Sequence, residues 1–332
     1  MKMDAYAKIN LILNVLGTRP DGYHEVEMLM QAVSLCDAVT VKTADALNEA
    51  DRCGSDALLG PQDFEYGTSD LAYKAALLMA ETFRPELVTT ALDENGLELV
   101  PGVKGVHIEI EKRIPAAAGL AGGSSDAAAV ITGLGRLWLQ GKNADDTQQE
   151  GADGSQKQPD DELLKTLLPL GAGLGSDVPF CVAAQLGYPA AIARGRGTDL
   201  EFVQPVDCGV DLYFSDFTIP NKTAAVYAEL KEEDCAERFS IESFLNASSL
   251  NEKQRFVGNH LQAPAERLFG KIRQLNYSCT KDGAVNRPSA GSAIPADAAD
   301  KTPATPANAT LCGAGPTYFT LSETGEYRTV VK

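Results

Sequence analysis

The chain has 332 residues, is 44% hydrophobic and carries a formal net charge of −17. That length exceeds what one compact core usually holds, so two domains are expected. The acidity sets the surface against nucleic acid and anionic membranes. No apolar run approaches the roughly 20 residues needed to cross a bilayer. The opening Met1-Lys-Met-Asp4 lacks an apolar signal core, which makes the cytoplasm the expected location. Seven cysteines, at 36, 53, 181, 208, 235, 279 and 312, form no CxxC pair. Their number and spacing argue against a disulfide framework or a zinc site.

Residues 4–16 are rich in Ile, Leu and Val and read as a strand. A turn follows at Pro20-Asp-Gly22. Met28 to Val41 is β-leaning, with an interruption at Leu35-Cys-Asp37. Residues 44–68 are polar and read as a loop. Asp70 to Phe83 carries Leu71, Ala75, Leu78 and Met79 at helical spacing. His107 to Ile110 alternates as a strand, and Ser125 to Leu139 reads as a second helix. Residues 141–161 and 278–309, poor in core formers, read as further loop expansions. A domain boundary is expected near 185–190, ahead of the turn Arg194-Gly-Arg-Gly197. Strands and helices mix in an α+β order, and there is no internal repeat.

The stretch from Pro115 to Ala129 carries the most chemistry. Gly119, Gly122 and Gly123 permit a tight turn between a strand and a helix, and Ser124, Ser125 and Asp126 follow at once. Strand, glycine turn and helix start form an anion-binding layout, because unpaired N–H groups and the helix dipole both favour negative charge there. Read alone, the stretch is equally a capped tight turn. It is neither a Walker A loop nor a dinucleotide fingerprint, since no GxxxxGK[ST] or G-x-G-x-x-G is present. An acidic chain must build a local positive field for a phosphate, and Lys8, Arg19, Lys112 and Arg113 lie in or beside the motifs. Lys8 stands on an apolar strand, where a lysine is either paired or reaches a cleft. Asp177, in Gly173-Leu-Gly-Ser-Asp-Val-Pro179, reads as a turn or cap aspartate or as a carboxylate facing a cleft.

Three segments together resemble the GHMP kinase superfamily. They are Ala5-Tyr-Ala-Lys-Ile-Asn-Leu11 with Arg19-Pro-Asp-Gly-Tyr-His-Glu25, the Pro115–Ala129 stretch, and Leu311-Cys-Gly-Ala-Gly-Pro-Thr317. The first is similar to the branch that phosphorylates the 2-hydroxyl of a diphosphocytidyl-linked methylerythritol in non-mevalonate isoprenoid synthesis. The resemblance implies an α+β, two-domain GHMP kinase fold with its active site in the cleft between domains. The division would give an ATP-binding domain at 1–186 and a substrate-side domain at 187–332, the latter lacking the usual final helix and strand. ATP and Mg²⁺ are implied, with a small-molecule acceptor, no nucleic-acid or membrane partner, and a monomer or homodimer. Lys8 and Asp177 are implied as catalytic. Lys112, Pro115, Ala116, Ala117, Ala118, Gly119, Leu120, Ala121, Gly122, Gly123, Ser124 and Ser125 would hold the nucleotide, with Ser125 as a metal contact. Asn10, Tyr23 and His24 would hold the acceptor, the last two at its cytosine. Asp70 stands where the family pattern has asparagine. Two alternatives are another small-molecule kinase of the superfamily and a catalytically silent nucleotide-binding protein on the same fold.

Overall fold

The computed structural model describes residues 1–43, 58–141, 160–214, 222–268 and 308–331. Of the three expected loop expansions, residues 44–57, 142–159 and 278–307 lie outside the described residues. The first strand, β1 (Lys2–Thr18), is buried on both faces from Ala7 to Val15. It pairs antiparallel with β2 (His24–Thr43) through the Pro20–Gly22 turn. Register irregularities fall between Tyr6 and Ala7 and between Asn10 and Ile12. Bulges of this kind re-aim side chains. Met3 and Ala5 pack in one core; Ala7, Ile9 and Leu11 pack in a second; Leu13 and Val15 return to the first. Between the irregularities, Lys8 and Asn10 face the side opposite Ala7 and Ile9, where the helices lie.

The interruption expected at Leu35–Asp37 is one of these bulges. Cys36 pairs with Tyr6 and Val33 with Ala7, so Ser34 and Leu35 are left over. Asp37 is fully buried. Its carboxylate accepts the N–H groups of Arg113 and Ile114 and lies 2.6 Å from Lys112 Nζ. The residue that breaks the apolar pattern is therefore a buried anchor for the start of the phosphate-type turn.

A short three-stranded sheet combines β3 (Leu58–Leu59), β4 (Val88–Leu92) and β5 (Leu99–Lys104) in the order β3-β5-β4. The first sheet adds β6 (Val106–Glu111) on β2, then β7 (Ala190–Gly195) and β8 (Asp199–Phe202). Its other edge is β10 (Gly258–Asn259), parallel to β1 at Ile12 and Leu13. The main path is β10-β1-β2-β7-β8, so this sheet continues past residue 187. The remaining sheet runs β11-β12-β9-β13, from β9 (Gly209–Tyr213), β11 (Thr310–Leu311), β12 (Tyr318–Ser322) and β13 (Tyr327–Arg328). Here Tyr327 pairs with Val210, so β13 lies along the β9 edge.

Four helices share the core on one side of the first sheet: α1 (Leu71–Phe83), α2 (Gly122–Leu139), α3 (Asp161–Leu174) and α4 (Val178–Gln185). Of these, α2 and α4 lie against β1 and β2, α1 packs on α2 and the short sheet, and α3 packs on α2 and α4. Asp70 caps α1 by accepting the Ala72 N–H at 2.8 Å. In α2, Ala127, Ala128 and Ala129 are completely buried, and small side chains here let α2 approach its neighbours closely. Later helices include α5 (Lys222–Ala228), α6 (Ile241–Asn246), α7 (Leu250–Lys253) and α8 (Gln262–Leu268). No helix among the described residues is long and apolar enough to cross a membrane.

Asp37→Ala strands two backbone donors and leaves Lys112 with one carboxylate fewer. Removing one partner of a buried charged network costs about 3 kcal/mol. The urea unfolding midpoint of Asp37→Ala is expected to fall accordingly, and an unchanged midpoint would remove Asp37 from its anchoring role.

Candidate active site

The turn from Pro115 to Ala121 is tighter than its glycines alone account for. Positive φ occurs at Ala117 (+53°), Gly119 (+85°) and Ala121 (+60°), whereas Gly122 and Gly123 already belong to α2. Two alanines thus take a left-handed conformation that costs an L-residue about 1 kcal/mol or more. Local strain of this kind persists only where surrounding contacts fix it. Those contacts come from far away in sequence. Thr317 N–H donates to the Ala118 carbonyl at 3.4 Å, and Lys8 N–H donates to Leu120 at 3.1 Å. A Cβ on Gly119 would lie 2.2 Å from the Cys312 carbonyl and 2.9 Å from that of Gly315. The Gly313–Thr317 turn is buried beneath the first turn. It supports the phosphate-type turn rather than facing the opening directly. Asn259 holds it from below, donating to the Leu311 and Gly313 carbonyls at 2.8 and 2.7 Å.

Within the expected nucleotide segment, Ala116, Ala117 and Gly123 are exposed, and Pro115, Gly119, Ala121, Gly122 and Ser124 are half-buried. Ala118, Leu120 and Ser125 are buried. Ser125 Oγ donates to the Tyr6 carbonyl at 2.6 Å and lies 3.4 Å from Cys181 Sγ, so it fastens α2 to β1 and α4. Burial pushes the Cys181 thiol up to about 12, which leaves it an inert neighbour. A Cβ on Gly122 would meet Ile114 at 3.2 Å, while Gly123 faces nearly open space.

Lys8 and Asp177 meet as expected. Lys8 Nζ is 3.5 Å from Asp177 Oδ1, with the lysine buried and the aspartate side chain 35% exposed. Asp177 precedes α4 but makes no side-chain cap bond, so its carboxylate remains free to face the opening. Asn10 is fully buried and accepts from Lys8 Nζ at 2.8 Å. Its contact is with the lysine rather than with solvent.

The expected positive field is distributed differently. Arg19 is paired with Asp21 at 3.2 Å and Glu25 at 2.5 Å, and Arg113 with Glu111 at 3.2 Å. Lys112 Nζ bridges Asp37 and Asp126 at 2.6 and 2.5 Å. Burial opposes its charge, but the two carboxylates outweigh that and hold the ammonium above its ordinary pKa. Burial pushes the Asp126 carboxyl up to about 7, against the pull of Lys112. Among the described residues Asp126 Oδ1 has no hydrogen-bond partner. These cations are largely spent on carboxylates.

At the other end of the β1–β2 hairpin, the His24 ring stacks on Tyr227 of α5, with centroids 4.6 Å apart and planes 29° apart. Tyr23 is 52% exposed, and the Arg196 guanidinium lies 5.7 Å over its ring. Burial, reinforced by Asp177, drives the Tyr227 phenol well above its usual pKa. A cavity of about 410 Å³ beside His24 is lined in part by Thr18, Cys235, Arg238 and His260. Sequence reading missed Tyr227, Arg196 and Lys222, another buried lysine at this site. Tyr227 and Lys222 belong to no local motif, Arg196 stands in the Arg194–Gly197 turn, and each reaches the site through tertiary packing.

This arrangement, an anion-type turn at a helix start beside a lysine–aspartate pair, is that of a GHMP kinase. Residues 70–185 match the family model described as the GHMP kinases N-terminal domain. The chain is 34% identical to the 4-diphosphocytidyl-2-C-methyl-D-erythritol kinase of Brevibacillus brevis over 86% of this chain and 82% of that protein. It is 33% identical to the enzyme of the same name from Exiguobacterium sibiricum, over 96% of this chain and 88% of that protein. A crystal structure of 4-(cytidine 5'-diphospho)-2C-methyl-D-erythritol kinase superposes with a TM-score of 0.61 at 28% identity, covering 97% of this chain and 90% of that one. The chain belongs to the 4-diphosphocytidyl-2-C-methyl-D-erythritol kinase family.

Gly119→Ala and Gly123→Val separate the two jobs of the turn. Gly119→Ala drives a methyl into two carbonyls at a positive φ, so its melting temperature is expected to drop sharply without ligand. Gly123→Val meets almost nothing in the protein, so it is expected to keep its melting temperature and lose ATP affinity by calorimetry. Unchanged ATP affinity in Gly123→Val would refute the placement of phosphates at this helix start.

Proposed function

We propose that the protein transfers the γ-phosphoryl group of ATP to the 2-hydroxyl of 4-diphosphocytidyl-2-C-methyl-D-erythritol, in the methylerythritol phosphate route to isoprenoids. The observation that carries this reading is the Lys8–Asp177 pair beside the α2 start, together with an aromatic stack suited to a nucleobase. The triphosphate would lie along Ala116–Ser124, where the first N–H groups of α2 lack intrahelical partners. The nucleotide contact falls on the exposed backbone of this segment, while Ala118, Leu120 and Ser125 fix its shape from behind.

Among the described residues no cluster of three or more acidic, histidine or cysteine side chains would hold a metal on its own. Mg²⁺ prefers oxygen and commonly takes several of its ligands from phosphates and water. Ser124, half-buried at the opening, fits as the hydroxyl contact; Ser125 is already committed to Tyr6 and Cys181. When bound, Mg²⁺ supplies charge neutralisation at the phosphate oxygens.

Asp177 accepts the proton of the acceptor hydroxyl as the new bond to phosphorus forms and the bond to ADP breaks. Lys8, steadied by Asn10, holds the Asp177 carboxylate in place and stabilises the developing alkoxide. At the far end, Tyr23, His24 and Tyr227 offer ring faces and one polar ring edge for cytosine. This aromatic provision favours the cytidyl acceptor over the small acceptors of other GHMP kinases. The paired Lys8 and Asp177 favour an active kinase over a silent nucleotide binder.

A coupled ADP-release assay with the cytidyl acceptor tests the reading directly. Asp177→Asn is expected to lose about 10²–10⁴-fold in kcat, the usual share of a general base, while ATP still binds. Near-normal turnover would remove Asp177 from the mechanism.

Selectivity for the cytidyl acceptor lies at the His24–Tyr227 end of the site. His24→Ala and Tyr227→Ala are each expected to raise KM for the cytidyl acceptor and leave KM for ATP nearly unchanged. Stacking of a base on an aromatic ring is worth about 1–3 kcal/mol, so increases of tenfold or more are expected. A rise in the ATP KM instead would show that the acceptor has been placed at the wrong end.

A further inference from the structure

Lys222, at the start of α5, is buried, and its Nζ donates to two backbone carbonyls. One is Ala117 in the phosphate-type turn; the other is Gly315 in the turn that supports it. No carboxylate contacts it among the described residues. Arg19, Lys112 and Arg113 all spend their charge on aspartate or glutamate. Burial, with the Lys8 ammonium adding to it, lowers the Lys222 pKa to about 8, and only the Cys312 thiol opposes. An ammonium has three donors, and two neutral acceptors leave one unused. A buried cation without a counter-ion is costly, and the cost is recovered when an anion arrives. The carbonyl it holds belongs to Ala117, which is exposed at the rim of the turn.

We infer that Lys222 contacts the phosphoryl group in transfer, as a second buried ammonium alongside Lys8, and that the nucleotide's γ-phosphate is its missing counter-ion. This rests on the kinase reading above. In the transfer, charge spreads over the oxygens of the migrating group, and a fixed cation in a dry seam stabilises it more than a solvated one does. Lys222 keeps its proton throughout. Asp177 takes the proton of the hydroxyl, and ADP leaves with the electron pair of the broken bond.

Kinetics, thermal melting and calorimetry on Lys222→Met and Lys222→Arg test the assignment. Lys222→Met is expected to lose at least 100-fold in kcat with the acceptor KM little changed. Its melting temperature at pH 7 is expected to hold or rise, because a charge buried without a counter-ion is gone. Sign and window follow from the lowered pKa: the folded protein binds fewer protons than the unfolded chain between about 8 and the ordinary lysine value near 10.4. The Lys222 contribution to stability therefore grows as pH rises through that window, and Lys222→Met loses this slope. The titratable groups acting on Lys222 are the Lys8 ammonium from β1 and the Cys312 thiol from the turn after β11, the latter held neutral by burial. The arginine variant isolates Lys222: the wild-type fall in kcat/KM for ATP above pH 8 should disappear in Lys222→Arg. Finally, the ratio of ATP to ADP affinity, by calorimetry, should drop at least tenfold in Lys222→Met.

Wild-type-like kcat in Lys222→Met would overturn the inference. So would a melting temperature that falls in step with activity while the ATP to ADP ratio is unchanged, the pattern of a clamp between the two turns. If the wild type releases no ADP with the cytidyl acceptor, the kinase reading fails, and the affinity ratio still decides whether Lys222 meets a γ-phosphate.

Discussion

Two turns nearly 200 residues apart press against each other so closely that only a hydrogen fits between them at Gly119. Everything else at the site depends on that contact. It holds Ala117 and Ala121 in a conformation alanine would otherwise leave. It aims the first turn of α2 at the opening and sets the height of Lys8, whose own backbone is tied to Leu120. Strain is tolerated at these alanines because the supporting turn is itself buried and gripped by Asn259.

Charge is distributed with equal economy. A chain carrying −17 overall has no surplus of cations with which to attract a nucleotide. Most basic residues near the site are committed to structural pairs: Lys112 knits Asp37 and Asp126 together behind the turn, and Arg19 stiffens the hairpin. The interior ammonium groups do what an acidic exterior cannot. Lys8 shares Asp177 and Asn10. Lys222 has carbonyls alone among the described residues. A positive field confined to the floor of a cleft is poorly screened by salt and adds little to long-range steering. It therefore favours a ligand that has already entered.

What was legible in the sequence was local. The apolar run at 4–16, the helical spacing at 71–83 and the strand, glycine turn and helix around 107–139 all recur in the structure, because each is specified by neighbours a few residues away. The Lys8–Asp177 pair was legible only through a shared motif pattern, since no periodicity brings residues so distant in the chain together. Three features were hidden for physical reasons. Positive φ fell on Ala117 and Ala121 rather than on Gly122 and Gly123, because tertiary contact overrode intrinsic preference. Asp37 resembled a flaw in a strand, since a buried carboxylate and a loop carboxylate look alike without their partners. Lys222 lies beside a stretch with no apolar rhythm, and its acceptors are 105 and 93 residues away.

The order of synthesis gives the paired turns a further meaning. The first turn leaves the ribosome long before the residues at 311–317 that brace it. Until β11 and β12 join β9, the carbonyl of Ala118 and the seam at Gly119 lack their native neighbours. The left-handed alanines then have nothing to hold them, and the nascent domain contains α2 without a formed cradle at its head. Contacts of such long sequence separation close late. On the proposed reading of this turn, nucleotide recognition is among the last properties the chain acquires.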